Sequence, residues 1–264
     1  MTGAELLAYA GLGALAGTVA GLLGVGGGII VVPGLAFLIA TDGVPADRLM
    51  QVAVGTSLAT IVATSLSSIR AHHRRGAVRW SVVARLTPGI VAGAALGAAI
   101  ADWLPTRGLA VVFGVFLVLV ALRLALPGQP VPHRQLPGAA GLAAWGGGIG
   151  TLSALLGIGG GTMTVPLLTW CNVPLREAVG TSAAGGLPIA VAGAAGFAVA
   201  GWTTPGLPPG ATGYVYWPAF LALAPATVLF APLGARLAHT VPIGLLRRVF
   251  ALFVVVVGIR MLIG

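Results

Sequence analysis

The chain is 264 residues long, 58% hydrophobic and only 7% charged, with a mean hydropathy of +1.04, a balance that excludes a water-soluble globular domain. Its formal charge of +9 rests on arginine alone, with no lysine. Those arginines sit at the ends of apolar segments and form no basic face with interleaved aromatics, which excludes nucleic acid as a partner.

Apolar runs recur along the full length, so an integral membrane protein without a cleaved signal peptide is expected. The first predicted segment, residues 5 to 23, is long enough to cross a bilayer and carries Gly13, Gly17 and Gly21 on one helical face, a spacing that lets another helix approach closely. It runs into Leu22-Leu-Gly-Val-Gly-Gly-Gly-Ile-Ile-Val-Val-Pro33. Three consecutive glycines destabilise a helix interior by about 1 kcal/mol each relative to alanine, so the helix should break there. Residues 29 to 40 then make a second segment of about 18 Å, too short for a hydrocarbon core of about 30 Å. A re-entrant hairpin is the natural reading, and a crossing segment is the alternative. Pro33 is placed near the first turn of this short helix, where a missing N–H costs little, or else adds a kink.

Residues 49 to 69 form the third segment, with Gly55-Thr56-Ser57 in apolar surroundings, and end in the most basic loop, Arg70-Ala-His-His-Arg-Arg-Gly-Ala-Val-Arg79. The fourth runs from Trp80 to Trp103, two tryptophans suited to the headgroup level, and repeats the close-packing pattern with Gly89, Gly93 and Gly97. The fifth runs from about Leu109 to Leu126. The polar, proline-containing stretch 127–137 then separates a first membrane repeat, 1–126, from a second, 138–264.

The second half repeats the first. Leu155-Leu-Gly-Ile-Gly-Gly-Gly-Thr-Met-Thr-Val-Pro166 follows the first glycine stretch at an offset of 133, Gly180-Thr181-Ser182 follows Gly55-Thr56-Ser57 at 125, and from Trp80 onward the offset settles at 137, matching Trp217, Pro225, Gly234, Pro242, Phe250 and Arg260. Such an internal duplication of about five segments is a far stronger signal than any single glycine motif. If each half crosses an odd number of times and the 70–79 loop is cytoplasmic, eleven arginines lie inside and only Arg48, Arg107 and Arg260 outside; an even number gives 8 against 6. The positive-inside rule therefore favours inverted repeats, with 127–137 as a cytoplasmic linker. The proline-rich loop from Gly201 to Gly213 then lies outside, with Tyr214, Tyr216 and Trp217 expected at the interface.

Each glycine stretch should expose the unpaired N–H groups of the helix that follows, a natural anion site reinforced by the helix dipole. It is not a nucleotide loop, because Gly28 is followed by Ile29-Ile30 and Gly161 by Thr162-Met163 instead of Lys-Ser/Thr. Tight helix packing is the competing reading of these glycines. Thr56, Ser57, Thr181 and Ser182 either donate to the anion or bond back to carbonyls of their own helices. Thr162 and Thr164 correspond to the apolar Ile29 and Val31, which would make the site polar mainly on one side. His72-His73 lacks a third ligand, so no metal is expected, nor any cofactor. Asp102 and Glu177 are the acids placed to carry a coupling proton, if one is used; more simply they end segments, with Glu177 beside Arg176.

With two Gly-x-Gly-Gly-Gly-x4-Pro stretches, each followed by Ala-Val-Gly-Thr-Ser, the chain resembles the TauE/SafE family of membrane permeases, the sulfite exporter family, from about Leu6 to Leu262. The resemblance implies a multi-pass transporter in the bacterial inner membrane for sulfur-containing anions such as sulfite, sulfoacetate or other organosulfonates. The expected fold is all-α, two inverted repeats of about five segments with glycine-rich breaks near the midplane. The expected partners are a small anionic substrate, the lipid bilayer and a coupling proton or other ion. Gly26, Gly27, Gly28, Ile29, Thr56 and Ser57 from one half would face Gly159, Gly160, Gly161, Thr162, Thr181 and Ser182 from the other, with Pro33 and Pro166 marking the breaks. The alternatives are a passive anion channel and a membrane scaffold; an enzyme is disfavoured because catalytic acids and bases are missing from the segment interiors.

Overall fold

The computed structural model describes residues 3–23, 27–125, 135–237 and 243–263. Gly26 and most of the predicted linker lie outside them. The helices are α1 (Gly3–Leu23), α2 (Gly28–Ile39), α3 (Leu49–Arg74), α4 (Trp80–Trp103) and α5 (Thr106–Ala125), then α6 (Ala139–Leu156), α7 (Gly161–Trp170), α8 (Leu175–Ala200), α9 (Trp217–Leu237) and α10 (Ile243–Ile263). A two-stranded antiparallel hairpin, β1 (Ala211–Thr212) and β2 (Val215–Tyr216), lies in the α8–α9 connection. Seven of the described helices, α1, α3, α4, α5, α6, α8 and α9, are long and apolar enough to cross a membrane. This is a multi-pass, all-α membrane protein.

The predicted glycine faces are where helices meet. A Cβ on Gly13 would stand 2.5 Å from the Leu223 carbonyl oxygen, and one on Gly17 would be 2.9 Å from the Thr227 Cα. In the other half, Gly146 meets Leu86 and Gly150 meets Ile90 in the same way. These pairs are equivalent at the offsets 133 and 137, so α1 packs on α9 as α6 packs on α4. Backbones approach this closely only without side chains between them. Each half therefore lodges its first helix against the fourth helix of the other.

The centre is formed by α3 and α8. Helix α3 is the most enclosed of the long helices although it carries Gln51, Thr56, Ser57, Thr60 and Ser65, all buried. Its polar groups are bonded: Gln51 donates from Nε2 to the Leu104 carbonyl at 2.8 Å and accepts from the Thr106 hydroxyl at 3.0 Å, fixing the start of α3 to the α4–α5 turn. Gly55 near the start of α3 abuts Phe197 near the end of α8, whereas Arg176 at the start of α8 donates to the carbonyl of Arg75 beyond the end of α3. The two equivalent helices run in opposite directions.

Helix α2 folds back along α1. Gly27 lies against Ala16, Gly34 against Leu12, and the Tyr9 hydroxyl donates to Asp42 at 2.6 Å. The short helix thus starts about two thirds of the way along α1 and returns toward its beginning, as a hairpin would. Pro33 and Pro166 are each the sixth residue of their helix, one turn deeper than the first-turn placement read from the sequence. There a missing N–H is no longer free, and the carbonyls of Ile29 and Thr162 lose their i+4 donors.

Candidate functional site

The second glycine stretch is a reversal built from two left-handed residues. Gly157, at φ +66°, ends α6: its N–H bonds the Ala154 carbonyl and the Ile158 N–H bonds the Ser153 carbonyl, a Schellman closure. Gly160, at φ +72°, starts α7, and the N–H groups of Met163 and Thr164 return to its carbonyl. The N–H groups of Gly161 and Thr162 at the tip have no helix partner to take. The first half supplies its own tip alongside: the Cα of Gly28 is so near Gly157 and Ile158 that a Cβ would overlap the Gly157 carbonyl. The two breaks predicted to face one another are in contact.

Around the α7 tip stand hydroxyls with nothing to bond. Ser153 Oγ on α6, Thr162 Oγ1 on α7 and Ser182 Oγ on α8 are enclosed and have no hydrogen-bond partner among the described residues. Ser153 is 0% exposed and Ser182 3%, and a Cβ on Gly160 would stand 3.3 Å from Ser153 Oγ. Ser182 shares one face of α8 with Gly186, which touches Gly159, and with Ile189, which touches Gly160. Leaving a buried hydroxyl unpaired costs about 1–3 kcal/mol. Three of them beside one helix N-terminus make a set of donors without an acceptor.

Among the described residues the first half carries no equivalent set. Ser57, the counterpart of Ser182, is satisfied by donating to the Gly157 carbonyl at 2.8 Å; Ser153 corresponds to Ala20 and Thr162 to Ile29. Ile29 itself is buried. The polarity predicted for one side is present on that side. Ser153 was not legible as a site residue, although a single serine in an apolar run one turn before the glycine break was the available signal.

Thr56 and Thr181 do something else. The backbone N–H of Tyr216 donates to Thr56 Oγ1 at 3.0 Å, and that of Arg79 donates to Thr181 Oγ1 at 3.0 Å. Beside them, Gly55 lies under the Tyr214 carbonyl and Gly180 under that of Ala77. Arg79 and Tyr216 are equivalent at the offset of 137, as are Ala77 and Tyr214. Each Gly-Thr pair therefore grips the extended segment that enters the fourth helix of the opposite half, glycine for approach and threonine for the bond. Replacing either threonine with valine keeps the shape but strands a backbone N–H, buried at Tyr216 and half-buried at Arg79. A loss of about 1–3 kcal/mol is expected, read as earlier unfolding in an SDS titration of detergent-purified protein; an unchanged midpoint would mean that the N–H has another acceptor.

Each grip is backed by a charged pair. At one, Tyr214 donates to Asp102 Oδ1 at 2.7 Å and accepts from Arg48 Nη1 at 3.1 Å and from the Thr204 hydroxyl at 3.1 Å. At the other, Arg79 Nε donates to Glu177. Tyr214 and Tyr216, expected at the interface, are buried at 0% and 5% exposure, whereas Trp217 is 41% exposed. The reason is that the Tyr214 hydroxyl finds its partners inside, and burial raises the pKa of both tyrosines. Glu177 likewise pairs with Arg79 instead of its neighbour Arg176.

Residues 9–261 match the family described as Sulfite exporter TauE/SafE. The chain is 36% identical over 254 residues, 95% of both chains, to a "Probable membrane transporter protein" of Haemophilus influenzae. It is 33% identical to the "Probable membrane transporter protein YunE" of Bacillus subtilis, covering 65% of this chain and 70% of that one. A third relative, the "Probable membrane transporter protein MamO" of Magnetospirillum gryphiswaldense, is 24% identical over 98% of this chain and 45% of its own. No solved structure matches. A duplicated chain of membrane helices, broken at glycines that meet in its centre and matched to this family over almost its whole length, is a membrane transporter, and it belongs to the TauE/SafE sulfite exporter family.

Proposed function

We propose that the protein is a secondary transporter that exports sulfur-containing anions such as sulfite, sulfoacetate or other organosulfonates across the bacterial cytoplasmic membrane by alternating access. The observation that carries this is the cluster of unpartnered hydroxyls, Ser153, Thr162 and Ser182, at the α7 N-terminus where the two glycine breaks touch. An oxyanion offers the acceptors these donors lack. Helix N–H groups and hydroxyls stabilise it without a fixed counter-charge that would hold it permanently.

The halves act as inverted repeats, with the basic 70–79 loop inside. The two grips then serve as gates on either side of the anion. The Thr181 grip, with Arg79 and Glu177, closes the cytoplasmic side; the Thr56 grip, with Tyr214, Asp102 and Arg48, closes the other. Rocking one half against the other releases one grip while keeping its equivalent.

Proteoliposomes loaded with labelled sulfite, thiosulfate, sulfate, sulfoacetate, taurine or chloride test the reading. Saturable flux of one sulfur anion, accelerated by the same anion on the opposite side, is expected. Flux that rises linearly without counter-transport would indicate a channel, and folded protein that moves none of these anions would indicate a scaffold.

A further inference from the structure

An open space lies away from the α7 tip. It is a cavity of about 1170 Å³ bounded by α1, α2, the start of α3, the α4–α5 turn and α10. Its walls are apolar, with Leu15 on α1, Pro33 and Phe37 on α2 and Phe253 on α10. Leu15 is 53% and Phe37 67% exposed, so its mouth opens on the flank that faces lipid. An apolar recess of this size in a bilayer is filled by hydrocarbon, because water finds few partners there.

One end of the cavity is charged. Arg48, Arg107 and Arg260, the three arginines that the sequence grouped on one side, all line it, together with Asp47 and Asp102. Both carboxylates face Arg48: its Nε is 3.6 Å from Asp47 Oδ2 and its Nη1 is 3.7 Å from Asp102 Oδ1, which also accepts from Tyr214. Arg107 donates to the carbonyls of Met261, Leu262 and Ile263 in the last turn of α10. The guanidinium of Arg260 on that same turn lies 5.9 Å over the Phe37 ring. Among the described residues neither Arg107 nor Arg260 has a carboxylate partner. Two guanidiniums with no carboxylate partner among the described residues thus line the charged end of an apolar recess.

We propose that this cavity binds one anionic phospholipid, its phosphate diester between Arg107 and Arg260 and an acyl chain along Leu15, Pro33 and Phe253. A free anion would satisfy the guanidiniums but leave the apolar recess unfilled. A zwitterionic lipid would fill the recess but carry its own cation to the guanidiniums. The site is independent of the transported anion and does not rest on it.

Thermal unfolding of the delipidated protein in a neutral maltoside detergent tests this, with phosphatidylglycerol, phosphatidylcholine of the same chains, or inorganic phosphate added. Phosphatidylglycerol is expected to raise Tm by several degrees, saturably, and the other two much less. Among the described residues Arg260 makes no hydrogen bond, so Arg260→Gln should leave the lipid-free Tm nearly in place and at least halve the shift. The double variant Arg107→Gln/Arg260→Gln should abolish it, whereas Arg85→Gln, an exposed arginine on α4 that does not line the cavity, should keep it. Equal shifts with both lipids, a matching shift with phosphate, no shift at all, or a full shift in the double variant would each overturn the proposal.

Discussion

Gly28→Ala is expected to reduce anion flux in proteoliposomes by about a hundredfold or more while the protein still inserts, since displacements of about 1 Å at a binding centre carry losses of that order. The added methyl has nowhere to go, because it would overlap the Gly157 carbonyl and stand 2.9 Å from the Ile158 Cα. Both are backbone atoms, so relief requires moving one glycine turn away from the other. Gly27→Ala should be much the milder change, because a Cβ there meets nothing closer than 3.7 Å and the residue already has right-handed helical angles. Gly160→Ala should resemble Gly28→Ala for a different reason: a left-handed residue costs an L side chain about 1–2 kcal/mol, and its methyl would press on Ser153 and Ile189. Gly148→Ala on α6, whose Cβ meets nothing within 4 Å, serves as the control. Normal flux through Gly28→Ala would remove the glycine contact from the transport path.

The double variant Ser153→Ala/Ser182→Ala should separate function from stability. Neither hydroxyl has a partner among the described residues, so the unfolding midpoint should stay level or rise, as unpaired buried polar groups are replaced by apolar ones. Flux should fall. A hydrogen bond to a charged group contributes about 1.5–3 kcal/mol, so each serine that contacts the anion is worth about 10- to 150-fold. This is the reverse of what is expected for Thr56→Val and Thr181→Val, whose first effect is on stability. A lower midpoint in the serine variant would mean that both hydroxyls hold the fold, and unchanged flux at limiting anion would take them out of the site.

The helices and their breaks were legible because bilayer thickness and glycine conformational cost act locally: residues 80–103 form a helix with the bounds read from their flanking tryptophans. The duplication was legible too, as a fixed spacing. The division of labour within Gly-Thr-Ser was not. Thr56 and Ser57 are adjacent and chemically alike, yet one accepts from Tyr216 and the other donates to Gly157. Which partner each meets depends on segments 100 to 160 residues away, and local pattern carries no record of that. Tyr214 was misplaced for the same reason. Its composition suits an interface, but Asp102 and Arg48 are brought to it by folding.

The exchange of first helices between the halves bears on how the chain is made. Helix α1 leaves the ribosome long before α9, yet its close contacts run from Gly17 to Thr227. Closing so long a loop is entropically slow, and until then the small-residue face of α1 has no surface to meet. Neither half can complete its own packing during synthesis, and α4 must wait for α6 just as α1 waits for α9. A half expressed alone would present an unclaimed first helix and an empty berth on its fourth, so two copies would trade helices. The duplicated chain carries in one polypeptide the dimer that such a half would have to form.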